Sequence, residues 1–281
     1  MATDKKITIP QLFEMKARGE KITMLTAYDY PTAVLMDRAG IEVVLVGDSV
    51  GNNVLGYEST VPVTLEEMLH HTKAVRRGLK RAFLIGDMPF LSFNVSHEQA
   101  ITNAGRFLKE AGVDAVKLEG GEEMAERVKA LERAGIAVMG HIGFTPQRAS
   151  QLGGAGHVQG RDEERARELL KDARSLEEAG AFSIVLEKIP WPLAELITKS
   201  VKIPTMGIGA GPYCDGQVLV THDVLGLSGL SLKFAKRYVD LSSTIEGALK
   251  AFKEDVKAKK FPTVEEHSFS MPEDVLKKLA P

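Results

Sequence analysis

The chain has 281 residues, of which 44% are hydrophobic and 26% charged, with a formal net charge of −2 and a pI near 6.4. This composition supports a large packed core and excludes disordered and fibrous classes. So small a charge gives no general attraction to nucleic acid or an anionic membrane. The single cysteine, Cys214, excludes an intramolecular disulfide and suits a reducing compartment.

The opening stretch, "MATDKKITIPQLFEMKARGEK", lacks the apolar core of a signal peptide. No uncharged apolar run approaches the roughly 20 residues that span a bilayer. The expectation is a soluble, cytoplasmic protein.

Strand candidates then follow in order. "KITMLTAYD" (21–29) comes first, and "RAGIEVVLV" (38–46) introduces a phrase that returns as "EAGVDAVKL" (110–118), "RAGIAVMG" (133–140) and "EAGAFSIVL" (178–186). Each places a glycine after a charged, helix-compatible stretch, where a left-handed residue closes a helix. Each continues as an apolar run of the kind that parallel sheets bury on both faces. "RAFLIGDMP" (81–89), "VKIPTMGIG" (201–209) and the weaker "GQVLVTHD" (216–223) complete the set.

Between them, Thr64 with Glu67 and Ser96 with Gln99 fit the capping box that starts a helix. "DEERARELLKDARSLEEAG" (162–180) reads as an amphipathic helix with its stop glycine. After the last strand, "IEGALKAFKEDVKAKK" reads as a helix, and Ser270 with Glu273 as the capping box of a short terminal one.

Strands alternating with helices predict an α/β fold with a parallel sheet. Eight such units over about 220 residues favour a closed (β/α)8 TIM barrel over an open sheet. The expectation is one domain, 1–281, with the barrel core at about 20–240, helices at about 243–281, and helical extensions at both termini.

In such a barrel the carboxyl ends of the strands carry the chemistry. They supply Asp29, Asp48 with Ser49, Asp87, Lys117 with Glu119, His141, Glu187 with Lys188, and the glycines of "GIGAG". Asp48, Asp87 and Glu119 are hard oxygen donors suited to Mg2+. Their plain alternative is helix capping. Lys117 and Glu119, two apart, share one side of a strand, either as an internal salt bridge or as an anion- and metal-binding pair.

Glu187 ends an apolar run that desolvates a carboxylate, as a general base requires. The alternative pairs it with Lys188 or the "KIPWP" loop. His141 is open between ligand, acid and structural histidine. "GIGAG" reads equally as an anion cradle and as a tight turn. His70 and His71 read as surface residues, Trp191 as packing at a helix start, and Cys214 as having no role.

Long blocks of the chain carry a resemblance: "MLTAYDYPTA", "GIEVVLVGDSVGNNVLGYESTVPVTLEEMLHHTKAVRRG", "LIGDMPFLSF", "DAVKLEGG", "VMGHIGFTPQ", "IVLEKIP" and "IPTMGIGAG". Together, from about residue 6 through "FPTVEEHSF", they resemble the ketopantoate hydroxymethyltransferase family. The resemblance implies a barrel of the phosphoenolpyruvate mutase/isocitrate lyase superfamily. It also implies transfer of a hydroxymethyl group from 5,10-methylenetetrahydrofolate to 3-methyl-2-oxobutanoate, giving 2-dehydropantoate for pantothenate and coenzyme A.

On this resemblance Asp48, Asp87 and Glu119 hold the metal, Mg2+ with Mn2+ or Co2+ as substitutes. Asp48, Ser49, Asp87, Lys117 and His141 meet the keto acid, and Glu187 accepts the proton. A homodecamer is expected, with no nucleic acid and no membrane partner. Two rival readings are another superfamily reaction on a keto acid, such as a lyase or phosphonomutase, and a non-catalytic barrel that senses a metal–keto acid complex. The first wants a "KKCG" motif, which is absent, and the second has no use for Glu187.

Overall fold

The computed structural model describes residues 5–154 and 156–279. In chain order the elements are α1 (Ile9–Arg18), β1 (Ile22–Thr26), α2 (Tyr30–Ala39), β2 (Val43–Val46), α3 (Leu65–Gly78), β3 (Phe83–Asp87), α4 (His97–Arg106) and β4 (Ala115–Lys117). They continue with α5 (Ala125–Arg133), β5 (Val138–Gly143), α6 (Glu163–Glu178), β6 (Ser183–Glu187), α7 (Trp191–Ser200), β7 (Thr205–Ile208), β8 (Gly216–Leu219) and α8 (Thr221–Val224). Three further helices follow, α9 (Leu241–Lys257), α10 (Val264–His267) and α11 (Glu273–Leu279).

All neighbouring strands pair in parallel, and the ring closes where Ile22 of β1 meets Gly216 of β8. The weakly patterned eighth strand therefore exists. It is short, and it follows β7 without an intervening helix. Asp215 pins that connection, its Oδ2 accepting from the Thr205 N–H and from Lys16 Nζ.

The recurring glycines act as helix stops. Gly40, Gly112, Gly135 and Gly180 all have φ between +66° and +98°, a region that side chains with a Cβ rarely enter. Thr64 and Glu67 form the expected capping box. Ser96 accepts from the Gln99 N–H, but Gln99 Oε1 turns to the Val95 N–H, so that box is half made. The last helix starts at Glu273, with the N–H groups of Val275 and Leu276 on the Pro272 carbonyl. Ser270 lies outside it, and the capping box expected there does not form.

Alternation along the strands divides the core in two. Val43, Leu45, Phe83, Ile85, Ala115, Met139, Val185 and Met206 fill the barrel, and Leu12 and Met15 of α1 join them from below. Val44, Val46, Leu84, Val116, Val138, Ile184 and Leu186 pack outward against the helices. By contrast, no residue of α9, α10 or α11 is buried. Among the described residues no helix is long and apolar enough to cross a membrane.

Candidate active site

The two-residue period that fills the barrel with Ile85, Ala115, Met139 and Val185 also aims the next inward positions at the mouth. Those positions are Asp87, Lys117, His141 and Glu187, with Glu119 one further step beyond Lys117. Asp48 and Ser49 follow β2 in a turn. Gly47 leaves that turn open, since a Cβ there would stand 2.8 Å from Ser49 Oγ. Asp48, Asp87, Lys117, Glu119 and His141 are all buried, and all line one cavity of about 260 Å³ with Ser49 and Glu187.

These groups form one connected network. Lys117 Nζ lies 2.7 Å from Asp87 Oδ1 and 3.7 Å from Glu119 Oε1. His141 stands between two carboxylates, with Nδ1 3.5 Å from Glu119 Oε1 and Nε2 3.3 Å from Glu187 Oε2. The Asp48 N–H donates to Asp87 Oδ2 at 3.2 Å, and Ser49 Oγ is 2.8 Å from the Tyr28 hydroxyl.

The electrostatics follow from burial and an excess of acid. Burial, then the carboxylates of Asp87 and Glu119, push Asp48 well above the usual carboxylate range. Burial raises Asp87 as well, in spite of Lys117. Burial opposes ionisation of Glu119, but Lys117 and His141 outweigh it and hold Glu119 low. Burial would also discharge Lys117, yet Asp87, Glu119 and Asp48 keep its ammonium above the ordinary value. Burial and Lys117 disfavour a charged His141, but Glu119 and Glu187 push it up to about 9.

Five carboxylates, those of Asp48, Asp87, Glu119, Glu187 and Asp223, thus line the cavity with the ammonium groups of Lys117 and Lys188 and the ring of His141, an excess of acidic groups that favours a cation. Oε1 of Glu119 is buried without a hydrogen-bond donor. Among the described residues no three His, Cys, Asp or Glu side chains already close around a metal position. A Mg2+ ion needs no such cage, because it keeps water and substrate oxygens and takes only one or two carboxylates. The oxygen donors here fit that ion.

Sequence reasoning missed three participants. Gln147, in a short turn after β5, donates from Nε2 to Asp48 Oδ2 at 2.9 Å and to the Met88 carbonyl at 3.0 Å. Its N–H reaches Glu119 Oε2 at 3.0 Å. Tyr28 holds Ser49, and Asp223, after β8, lines the cavity. Conversely, Asp29 caps α2 through the Thr32 N–H and is exposed. "GIGAG" is a turn, with Gly209 and Gly211 at positive φ. His71 is no bare surface residue, since its Nδ1 lies 2.7 Å from the Tyr28 carbonyl. Lys188 Nζ sits over the Phe144 ring, 4.5 Å from its centroid.

The sequence model of ketopantoate hydroxymethyltransferase matches residues 6–264. The chain belongs to the ketopantoate hydroxymethyltransferase family. A 3-methyl-2-oxobutanoate hydroxymethyltransferase of Carboxydothermus hydrogenoformans is 57% identical over 275 residues, 98% of this chain and 99% of that one. Membership makes the chain an enzyme, a transferase of hydroxymethyl groups.

Two solved structures share the fold. Phosphoenolpyruvate phosphomutase from Streptomyces platensis subsp. rosaceus has a TM-score of 0.61 at 16% identity, over 96% of this chain and 94% of that one. Phosphonopyruvate hydrolase, in complex with oxalate and Mg2+, has a TM-score of 0.56 at 16% identity and the same coverage.

Proposed function

We propose that the enzyme transfers a hydroxymethyl group from 5,10-methylenetetrahydrofolate to 3-methyl-2-oxobutanoate. The product is 2-dehydropantoate, the reaction belongs to pantothenate and coenzyme A formation in the cytoplasm, and it proceeds through an enolate. The observation that carries this reading is the division of the cavity. Its β2–β5 side bears Asp48, Asp87, Lys117, Glu119 and His141, and its β7–β8 side bears Ile208, Val218, Leu219 and Val220. Glu187 stands at the border. A short branched keto acid has that same polarity, with a charged end and an apolar end.

Asp48 and Asp87, with Glu119 beside them, would hold Mg2+, or Mn2+ or Co2+ in its place, and the ion supplies positive charge at the keto acid's oxygens. The phosphonopyruvate hydrolase neighbour, whose complex holds oxalate and Mg2+, supports this reading of the donor set. Lys117 offsets the substrate carboxylate, and Ser49, fixed by Tyr28, orients it. Glu187, its side chain 13% exposed and its Oε2 beside His141 Nε2, takes the C3 proton. His141 keeps that carboxylate turned inward.

A base placed in this way contributes about 10²–10⁴-fold. In D2O with keto acid and Mg2+, but without folate, the C3 proton should exchange in wild type, followed by NMR. Glu187→Gln should slow exchange by at least about 10²-fold. An unchanged rate in that variant would move the base elsewhere. No exchange in wild type, with or without tetrahydrofolate, would assign the barrel to another acid.

The expected homo-oligomer has a surface to form on. Ile245, Leu249, Phe252 and Val256 make one exposed apolar stripe on α9, of the width that packs against another helix.

A further inference from the structure

The charged residues of the cavity come from consecutive strands, β2 to β6, and are tied to one another. Across the ring the wall is apolar, with one acidic exception. Asp223 follows β8, the strand that faces β4, with its Lys117, across the eight-stranded ring. Its N–H bonds the Val220 carbonyl at 3.0 Å, so the turn that presents it is fixed. Its Oδ1 is buried and has no hydrogen-bond partner, as is also true of Glu119 Oε1 and both ring nitrogens of His141 within the same cavity, and such a buried orphan atom calls for an explanation. The neighbouring His222 packs its ring on Tyr28, 5.4 Å between centroids.

The proposed reaction needs proton traffic at two places. One is C3 of the keto acid, on the Glu187 side. The other is the one-carbon unit, which arrives bonded to two folate nitrogens and leaves carrying a hydroxyl from water. Asp48, Asp87 and Glu119 are engaged with Gln147, Lys117 and His141. Asp223 is outside that network and shares the cavity with Glu187 and Lys188.

We infer that Asp223 is a second catalytic residue, which handles the proton of the water that opens the methylene bridge. This rests on the methylenetetrahydrofolate reading of the donor. The water oxygen bonds to the methylene carbon while one of its protons passes to the Asp223 carboxylate. The bond from that carbon to one folate nitrogen breaks, its electron pair stays on the nitrogen, and the nitrogen takes the proton from Asp223. The products are a hydroxymethyl group on the other nitrogen and a regenerated carboxylate. No oxidant or reductant is involved, and water is the only added reactant.

Three rates measured on the same protein test the assignment. They are C3 exchange of 3-methyl-2-oxobutanoate in D2O, transfer from 5,10-methylenetetrahydrofolate, and transfer from formaldehyde, whose hydrate already carries the water oxygen. Asp223→Asn should keep exchange and formaldehyde transfer while losing about 10²-fold or more in transfer from the folate donor.

Wild-type transfer from both donors in Asp223→Asn would overturn the inference. So would loss of exchange in both Asp223→Asn and the smaller Asp223→Ser, which would make Asp223 a structural residue. Exchange lost in the first variant alone leaves Asp223→Ser to decide by the same three rates. Wild-type protein that uses formaldehyde but not the folate donor would overturn the donor reading itself. That failure is visible without any variant.

Discussion

His141 stands at the centre of the site's charge, and its protonation gives the fold a pH signature. Its folded pKa of about 9 exceeds the value of 6.5 for a free imidazole. The folded state therefore binds the proton more tightly than the unfolded chain. The resulting stability is fully present below about pH 6.5 and is lost as pH rises through about 9. For a buried group with this shift it amounts to roughly 3 kcal/mol at most. Urea unfolding of the metal-free protein at pH 6.5 and at pH 9 should show wild type losing its margin over His141→Gln across that interval. A margin that stays constant would place the proton elsewhere in the network. Gln147 makes a second case at this scale. Gln147→Leu keeps the volume but removes the donor to Asp48 and the Met88 carbonyl. Keto acid affinity, measured by calorimetry, should fall by about 10-fold or more, as expected when a buried carboxylate loses its hydrogen bond.

The elements that carry the site depend on glycines at close approaches. Gly143 ends β5 at φ +92°, and a Cβ there would stand 2.2 Å from the Glu187 carbonyl oxygen. The Phe144 N–H donates to that same oxygen at 2.8 Å. Gly143→Ala should therefore push β6 away from β5 at Glu187, the proposed base. It should lower thermal stability by an amount equivalent to about 1–3 kcal/mol, and slow C3 exchange with it. A variant that loses stability but keeps full exchange would show that Glu187 moves independently of its strand.

The strand rule also explains which parts of the site were legible in the sequence. Asp87, Lys117, Glu119, His141 and Glu187 follow apolar strand residues at even spacing, so a period of two aims them inward without further knowledge. Gln147 sits on a turn after β5, where no period fixes direction, and Asp223 follows β8, the least patterned strand of the ring. Asp29 misled for a related reason. An aspartate after a strand is as well placed to cap the next helix as to face the mouth, and only its bond to the Thr32 N–H decides. The Ser270 capping box failed because Pro272 starts the final turn later than the motif suggests.

At the scale of the molecule, the barrel is closed below by α1 and flanked by helices, yet α9 buries none of its residues and is held at its start by the Leu241 N–H on the Leu225 carbonyl and Ser242 Oγ on the Gly226 carbonyl. A 17-residue helix with Leu249 64% and Phe252 59% exposed gains little from its own propensity alone. Leu249→Glu combined with Phe252→Glu should leave the barrel folded and reduce the mass measured by light scattering. An unchanged mass would place the oligomer contacts elsewhere. The roof of the catalytic cavity belongs to the same stretch of chain. Leu230, Leu232 and Phe234 cover the mouth. The stretch is then fastened by the Tyr238 N–H on the Val224 carbonyl and the Leu241 N–H on the Leu225 carbonyl, and it runs directly into α9. The residues over the cavity and α9 thus share one anchor. On the proposal that α9 carries the subunit contacts, losing them should loosen the stretch over Glu187, and specific activity should decline on dilution even though every side chain of the proposed site remains in place.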